Sequence, residues 1–451
     1  MEKTQLTGRI VTPDDPDYEL ARTNNNLSFP KFPKIIVFCR NVEDVVNALK
    51  WVRENRVPFR IRSGRHSYEN FSLVTDGLVI DISDMNAITF DEASMTVKIE
   101  AGANLGLVYQ RLWEHGTTIP AGTEGSVGLV GLSLGGGIGM LSRLFGLTCD
   151  NLLEVEIVTA SGQRAAQLVR ANPHQNGDLF WACRGGGGGN FGIVTSLSYR
   201  VHPISKVSIF SITWGWEDLE AVFDAWQNWA PHTDIRLTSE IELKAKKANQ
   251  IIAQGEFVGP ASNLRTLLRP LTSIGSPTKI AVKEVPYIKA VRFFDDPSGN
   301  LPAHRKRSGS FLKNPFPPNA IETMKKFLEN APNEEAAIWQ QALGGATKQF
   351  SPAETAFYYR QAIIAQEYKS TWSQPAEEAQ NIRWIEELRH ALSKYTTGDY
   401  VNWPDLHIKN WQTAYYGKNL KRLQAVKKAY DPSNLFRFPQ SIPLPPDPKK
   451  R

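Results

Sequence analysis

The chain has 451 residues, which predicts two or three domains, because single hydrophobic cores rarely serve more than roughly 250–300 residues. With 41% hydrophobic and 22% charged residues, its composition is that of a folded globular protein and excludes a disordered one. The net charge of +6 arises from scattered basic residues, so a nucleic-acid partner is not expected. We interpret the clusters HRKR (304–307) and PKKR (448–451) as solvated loop and tail.

The N-terminus and the cysteines narrow the class of protein further. The first twenty residues lack an apolar signal-peptide core, and the longest apolar run, 129–147, is broken by glycines and Arg143. We therefore expect a cytoplasmic protein with no membrane partner. Cys39, Cys149 and Cys183 have no metal-binding spacing and are interpreted as buried free thiols, so no metal site is expected.

In chain order, the first 203 residues alternate patterns typical of strands and helices. Hydrophobic periodicity predicts strands at 34–39, 57–62, 78–83, 96–102 and 153–162 and helices at 41–55 and 104–115, the latter capped by Asn104. From about residue 204 glycine becomes sparse, and strands mix with amphipathic helices such as 219–230. This change of character places a domain boundary near residue 204.

Glycine is concentrated in three turns of the first domain, SGRHS (63–67), GLSLGGGIG (131–139) and RGGGGGNFG (184–192). Without a Cβ atom, such turns let backbone N–H groups approach an anion closely. The GxGxxG match at 187–192 follows a predicted helix and precedes a strand, the reverse of the Rossmann order, so that fingerprint is excluded. Three clustered turns instead favour one large anionic ligand, such as a dinucleotide, threaded along the backbone.

The residues around these turns resemble a known family. The segments IRSGRHSYENF (61–71), PAGTEGSVGLVGLSLGGGIGMLSR (120–143), DLFWACRGGGGGNFGIVTS (178–196) and YDPSNLFRFPQSI (430–442) are similar to FAD-linked oxidases of the vanillyl-alcohol-oxidase superfamily. The similarity is to the berberine-bridge-enzyme-like branch. It implies an α+β fold with a two-subdomain, PCMH-type FAD-binding domain at 1–203, completed by 396–451. A substrate domain with a helix-covered antiparallel sheet would occupy 204–395.

The resemblance also implies where FAD binds. In this family the histidine matching His66 bonds covalently to the flavin, and many members add a second bond through a cysteine. Glu124 stands at that cysteine position, which implies a single linkage through His66. Arg65 replaces a usual glycine, and it could pair with a phosphate, pair with Glu124 or point to solvent. The expected cofactor-binding residues are Arg62, Ser63, Gly64, Arg65, His66, Ser67, Glu124, Gly128, Leu129, Val130, Gly131, Leu132, Ile138, Gly189, Val194, Tyr400 and Asn402.

The catalytic base departs from the family pattern. Many members carry a base tyrosine where this chain has Trp403, and a tryptophan side chain has no proton acceptor. The candidates for the base are Tyr400, Gln366 and Tyr368. The last two should share the cavity face of the strand QAIIAQEYKSTW (361–372), with Glu367 facing away unless the register is shifted by one residue.

Three functions follow from the resemblance. The first is an oxidase that passes a hydride from an alcohol, a sugar hemiacetal or a secondary metabolite to flavin N5, with molecular oxygen as acceptor. Val127 matches a position that governs oxygen access in relatives, and a small side chain there favours an oxidase. The alternatives are a dehydrogenase with another acceptor and a catalytically weak, flavin-binding structural protein. The sequence does not define the oligomeric state.

Overall fold

The computed structural model describes residues 4–160, 166–296 and 299–446. The first lobe is a four-stranded sheet of order β1-β2-β4-β3, in which β2 and β3 run parallel to β4. Its elements are β1 (Arg9–Val11), α1 (Tyr18–Arg22), β2 (Ile35–Phe38), α2 (Val42–Asn55), β3 (Phe59–Arg62) and β4 (Leu78–Asp81). Helix α2 begins where the Asn41 side chain accepts a hydrogen bond from the Asp44 N–H (2.9 Å), and it buries Val45, Leu49 and Val52.

The second lobe is an antiparallel five-stranded sheet of order β5-β6-β10-β8-β9, with β7 and β11 forming a short separate pair. Its strands are β5 (Ile88–Asp91), β6 (Thr96–Glu100), β7 (Thr117–Thr118), β8 (Leu152–Thr159), β9 (Gln167–Ala171), β10 (Ile193–Arg200) and β11 (His202–Pro203). Its helices are α3 (Leu105–Glu114), α4 (Leu129–Leu134), α5 (Ser142–Phe145) and α6 (Gly177–Ala182). Asn104 caps α3 as predicted, accepting a hydrogen bond from the Leu107 N–H at 2.9 Å.

The middle of the chain forms an antiparallel seven-stranded sheet of order β15-β12-β14-β13-β17-β18-β16. Its strands are β12 (Lys206–Trp214), β13 (Leu237–Lys244), β14 (Ile251–Phe257), β15 (Lys279–Pro286), β16 (His304–Leu312), β17 (Ala337–Ala342) and β18 (Ile364–Trp372). Its helices are α7 (Leu219–Trp229), α8 (Ala261–Leu267), α9 (Arg269–Thr272), α10 (Tyr287–Phe294), α11 (Pro318–Glu329) and α12 (Glu378–Leu392). Buried residues such as Trp226, Met324 and Leu388 pack α7, α11 and α12 against one face of this sheet, and the opposite face lines a cavity.

The C-terminal segment returns to the first two lobes through α13 (Trp411–Tyr416) and α14 (Leu420–Tyr430). The Lys427 ammonium donates to the backbone oxygens of Asn190 (2.8 Å) and Phe436 (2.5 Å), and the Tyr416 hydroxyl donates to the oxygen of Gly186 (3.2 Å). These contacts bind the segment to the glycine-rich turn before β10. The domain boundaries 1–203, 204–395 and 396–451 remain a prediction.

The α+β fold class, with helices covering an antiparallel sheet, is confirmed. The three cysteines are free and buried. Among the described residues, every helix is too short or too polar to cross a membrane. The interpretation of HRKR as a solvated loop is wrong: it lies in β16, where Arg305 and Lys306 are 2% and 1% exposed, since both find buried partners. The PKKR tail lies outside the described residues.

The environment of Lys306 explains how a lysine is buried in β16. Its ammonium donates to the carboxylate of Glu69, from the loop after β3, and to that of Asp405, from the C-terminal segment, at 2.7 Å. Burial alone would raise the pKa of Asp405, but hydrogen bonding from His407 and the charge of Lys306 hold it well below its ordinary value. One cation therefore joins three distant segments of the chain beside the cavity.

Candidate active site and cofactor cavity

A cavity of about 700 Å³ lies between the first two lobes, the open face of the seven-stranded sheet and the C-terminal segment. Its volume is within the range of small-molecule and cofactor sites, roughly 300–1,000 Å³. Most of the predicted cofactor-binding residues line it. They are Ser63, Gly64, Arg65, His66, Ser67, Glu124, Gly128, Val130, Gly131, Leu132, Ile138, Gly189, Val194, Tyr400 and Asn402.

Two predicted cofactor residues do not line the cavity. The Arg62 guanidinium is fully buried against the Asp81 carboxylate (2.6 Å) and donates to the backbone oxygen of Ala21 (2.6 Å). Leu129 is 1% exposed and belongs to the hydrophobic core. Strand β3 and helix α4 turn both side chains into the protein, and contact of the cofactor with the loop at Arg62 and the backbone at Leu129 stays a prediction.

The glycines of the predicted turns shape the cavity wall. A Cβ atom at Gly64 would lie 2.1 Å from the Gly128 nitrogen, so the loops around 64 and 128 meet backbone to backbone. A Cβ atom at Gly131 would meet no atom within 4 Å, and Gly189 has a φ of +72°, a conformation that favours glycine. The turns therefore leave open space along the main chain, as a ligand held by backbone groups requires.

Arg65 lines the cavity, but its guanidinium is directed away from Glu124. Its guanidinium donates to the backbone oxygen of Leu20 (3.2 Å) and lies 3.9 Å from the Asp81 carboxylate. Of the three alternatives for Arg65, pairing with Glu124 is therefore wrong. Its backbone adopts a φ of +61°, which explains why relatives place glycine at this position.

His66 lies among polar groups at the edge of the cavity. Its Nε2 atom is 2.6 Å from the Ser126 hydroxyl, whereas its buried Nδ1 atom has no hydrogen-bond partner. Burial, with a smaller contribution from Arg305, lowers the pKa of His66 to about 4, so the imidazole is neutral at neutral pH. The Glu124 carboxylate, 3.6 Å from Nδ1, is therefore a close neighbour and not an ion-pair partner.

Residues 400–403 close the cavity from the C-terminal side. The Tyr400 hydroxyl accepts hydrogen bonds from the Gly137 N–H (2.9 Å) and the Asn402 amide (2.8 Å). Burial raises the pKa of Tyr400, so this hydroxyl is poorly suited to be a base. The Trp403 ring packs edge-on against Tyr400 and Trp339, with centroids 5.0 and 5.8 Å apart. Tyr400 thus anchors the loop around Gly137, and the two tryptophans form part of the cavity wall.

Strand β18 presents the opposite residues to those predicted. Gln366 hydrogen-bonds to Gln340 and to the Ser310 hydroxyl (3.3 Å), and Tyr368 is fully buried beneath the covering helices. Glu367 and Lys369 line the cavity instead. The prediction that Gln366 and Tyr368 face the substrate is wrong, because neighbouring strands supply polar partners for both side chains on the helix-covered face.

The sheet brings a set of charged groups to the cavity that the sequence analysis did not identify. The Lys369 ammonium lies 2.7 Å from the Glu242 carboxylate, and the Gln254 amide donates to Glu240 at 2.6 Å. Burial raises the pKa of Glu240 to about 7. Alternate residues of a strand point to the same face. Pairs of charged residues two positions apart, as in LTSEIELK and AQEYKSTW, are therefore a sequence signal for a strand face that lines a polar cavity.

Glu367 and Arg307 form the central pair of this row. The Arg307 Nε atom lies 3.8 Å from Glu367 Oε1, a buried atom with no hydrogen-bond partner. Burial raises the pKa of Glu367, and the nearby Arg307 charge only partly offsets this effect. Glu367 is therefore a buried carboxylate with raised proton affinity and a free acceptor atom beside the cavity.

Sequence and structure comparisons define the class of protein to which this cavity belongs. The family described as "FAD binding domain" matches residues 33–165, and the family "Berberine and berberine like" matches residues 399–443. The chain therefore carries an FAD-binding domain and the C-terminal segment typical of berberine-bridge-like enzymes.

Similarity to individual proteins extends over almost the whole chain. The FAD-linked oxidoreductase YgaK of Bacillus subtilis (strain 168) is 60% identical over 98% of both chains. Monolignol oxidoreductase AtBBE-like 13 of Arabidopsis thaliana is 29% identical over 88% of this chain and 81% of its own. The structure of BBE-like 1 of Physcomitrella patens superposes with a TM-score of 0.91 at 29% identity, covering 98% of both chains. The chain belongs to the berberine-bridge-enzyme-like family of FAD-linked oxidoreductases.

Proposed function

We propose that this protein oxidises a hydroxyl-bearing small molecule, with Glu367 as the group that accepts the substrate proton. Its free Oε1 atom and its raised pKa support this role. FAD, when bound, supplies the two-electron acceptor that takes the hydride from the substrate carbon. Arg307 provides positive charge beside the carboxylate, which favours the ionised form of Glu367 that can receive a proton.

The cavity also supports a class of substrate. Its sheet-side wall combines hydrogen-bonding groups from Glu240, Gln254 and Lys369 with the aromatic faces of Trp339 and Trp403. Polar groups fix hydroxyls and aromatic rings pack against C–H faces, a combination suited to a saccharide or another polyhydroxylated alcohol. A wholly apolar substrate would leave the buried Oε1 atom of Glu367 without a hydrogen-bond partner.

We further propose that FAD is attached by one covalent bond, through His66. The neutral imidazole and its unpaired Nδ1 atom support this attachment. Glu124 cannot replace the cysteine of doubly linked relatives, since a carboxylate does not form the corresponding thioether. Molecular oxygen is the proposed electron acceptor, supported by Val127 on the cavity wall. A slow reaction of the reduced protein with oxygen, and a fast one with a quinone dye, would make it a dehydrogenase instead.

The purified protein tests the proposal directly. We expect a yellow protein whose flavin is bleached anaerobically by one member of a panel of sugars and primary alcohols, with peroxide released on admission of air. Glu367→Gln should bind FAD with an unchanged spectrum yet bleach far more slowly. Glu256→Gln is the matched control, because Glu256 is a buried carboxyl of the same sheet that does not line the cavity. Equal bleaching rates in the wild-type and Glu367→Gln proteins would refute the role of Glu367.

A further inference from the structure

Asp295 and Asn300, which follow α10 in the chain, lie beside Ser126, a neighbour of His66. There the Asn300 side-chain oxygen accepts two hydrogen bonds from Ser126, one from its N–H (3.2 Å) and one from its hydroxyl (2.5 Å). The Ser126 hydroxyl oxygen is in turn 2.6 Å from His66 Nε2. Asn300, Ser126 and His66 therefore form a hydrogen-bonded chain, which we call the imidazole relay.

The direction of each hydrogen bond in the relay is fixed by its neighbours. The Asn300 amide nitrogen donates to the Asp295 carboxylate at 2.8 Å, and Asp295 also accepts the Gly125 N–H at 2.8 Å. Turning the amide over would set its oxygen against a carboxylate and its nitrogen against the Ser126 N–H, two repulsive contacts. The Asn300 oxygen must therefore face Ser126, where it can only accept.

This orientation determines the tautomer of the imidazole. The single hydroxyl proton of Ser126 is donated to Asn300, so the Ser126 oxygen is left as an acceptor for His66. The proton of the neutral imidazole therefore resides on Nε2, and the lone pair resides on Nδ1. Nδ1 is the buried atom without a hydrogen-bond partner, so its lone pair is unengaged.

We propose that Ser126 and Asn300 are positioning residues for covalent attachment of the flavin, and that they select Nδ1 of His66 as the bonding atom. This inference rests on the proposed single linkage through His66. A nucleophilic nitrogen needs a free lone pair, and the relay holds that lone pair on the nitrogen beside Glu124, 3.6 Å away. Attachment then depends on Asn300, a residue between α10 and β16, and not on the glycine-rich turns alone.

The bond formed is between Nδ1 and the carbon of the flavin 8α-methyl group. That methyl group loses one proton, the imidazole loses its Nε2 proton, and both protons pass to solvent or to the flavin. The two electrons released reduce the flavin ring, and dissolved oxygen reoxidises it, yielding peroxide. Ser126 and Asn300 exchange no electrons in this step and act only by orienting His66.

Acid precipitation of purified variants tests the relay. The readouts are the fraction of flavin that stays with the protein, the mass of the intact chain, and NMR of the isolated histidyl-flavin peptide to identify the bonded nitrogen. We expect Ser126→Ala and Asn300→Leu to attach flavin about tenfold more slowly, the effect of losing one hydrogen bond of about 1.4 kcal/mol. In Ser126→Ala, the flavin that does attach should be divided between Nδ1 and Nε2, because both tautomers become accessible.

Two further variants separate orientation from general damage. Ser126→Thr keeps the hydroxyl and should restore attachment through Nδ1. Ser133→Ala removes another buried hydroxyl, bound to Tyr199 at 2.6 Å outside the relay, and should behave as wild type. Full attachment through Nδ1 alone in Ser126→Ala would overturn the inference and leave the proposed linkage standing. Complete release of flavin from the wild-type protein would overturn both, although substrate oxidation by non-covalent FAD would remain testable.

Discussion

The Arg307 guanidinium and the Glu367 carboxylate face the same cavity from neighbouring strands, β16 and β18, with 3.8 Å between Nε and Oε1. This separation is too long for a hydrogen bond, so the charge of Arg307 acts on Glu367 without occupying its acceptor atom. The pair therefore supplies a carboxylate that is held in place by its strand and free to accept a proton.

Replacing the Glu367 carboxylate tests its role through the rate of flavin reduction. Glu367→Gln should lower the rate of anaerobic flavin reduction by roughly 10²–10⁴-fold, the usual contribution of a positioned general base. Stopped-flow absorbance of the flavin measures the rate, and Glu256→Gln should stay near wild type. A loss in the control of the same size would indicate that damage to the sheet, and not proton transfer, explains the effect.

The pH dependence should report the same carboxylate. Glu367 must be ionised to accept a proton, so kcat/KM should fall as the pH decreases through its pKa, which burial raises above the ordinary value of about 4.3. Arg307→Met removes the charge that partly offsets burial and should move this acid limb to higher pH. If the acid limb of kcat/KM does not move in the Arg307→Met protein, this limb reports the ionisation of a group other than Glu367.

Tyr400 should contribute to the stability of the fold but not to proton transfer from the substrate. Tyr400→Phe removes the acceptor for the Gly137 N–H and the Asn402 amide, at a cost of about 1–3 kcal/mol in the free energy of unfolding. The acid limb of kcat/KM should not move. Urea denaturation measures the loss of stability, and the pH dependence of kcat/KM tests whether the acid limb moves. A shifted acid limb would indicate that Tyr400 takes part in proton transfer.

Substitutions at Gly309 and Trp403 should have non-additive effects on the free energy of unfolding. A Cβ atom at Gly309 would lie 2.5 Å from Trp403 Cε3, so Gly309→Ala overpacks the cavity wall and should destabilise the protein by about 1–3 kcal/mol. Trp403→Phe removes the outer ring of the indole and should recover part of that loss in the double variant. Additive effects in a double-mutant cycle would contradict the coupling.

Of these positions, Lys306 should contribute most to the free energy of unfolding. Lys306→Met leaves the buried carboxylates of Glu69 and Asp405 without their cation and should cost about 3–5 kcal/mol. Because the folded-state pKa of Asp405 is depressed, its contribution is present above the unfolded pKa of about 3.9 and is lost as the pH falls below it. The loss of stability in the Lys306→Met protein should therefore shrink only below about pH 3.9, as urea midpoints at pH 7 and about pH 3 would show.

The sequence by itself determined the family and its cofactor, because the signals for both are local. The glycine turns, the position of His66 and the replacement of cysteine by Glu124 can each be identified in a few consecutive residues, and backbone conformation follows from them. The same holds for the Asn104 cap, which depends on a residue three positions away. The departure at Trp403 is likewise visible in a short segment of sequence.

Only the tertiary structure decided which side chains face the cavity. Strand β18 is buried on both faces, so its pattern of polar and apolar residues could not distinguish Gln366 from Glu367. Lys306 and Arg307 became interior residues because Glu69, Asp405 and Glu367, distant in sequence, offset their charges. Arg305 instead donates to the backbone oxygens of residues 299 and 301. The tautomer of His66 likewise depends on Asn300, more than two hundred residues away. Long-range pairing of polar groups has no local signature, and so the fold alone assigns the chemistry of this cavity.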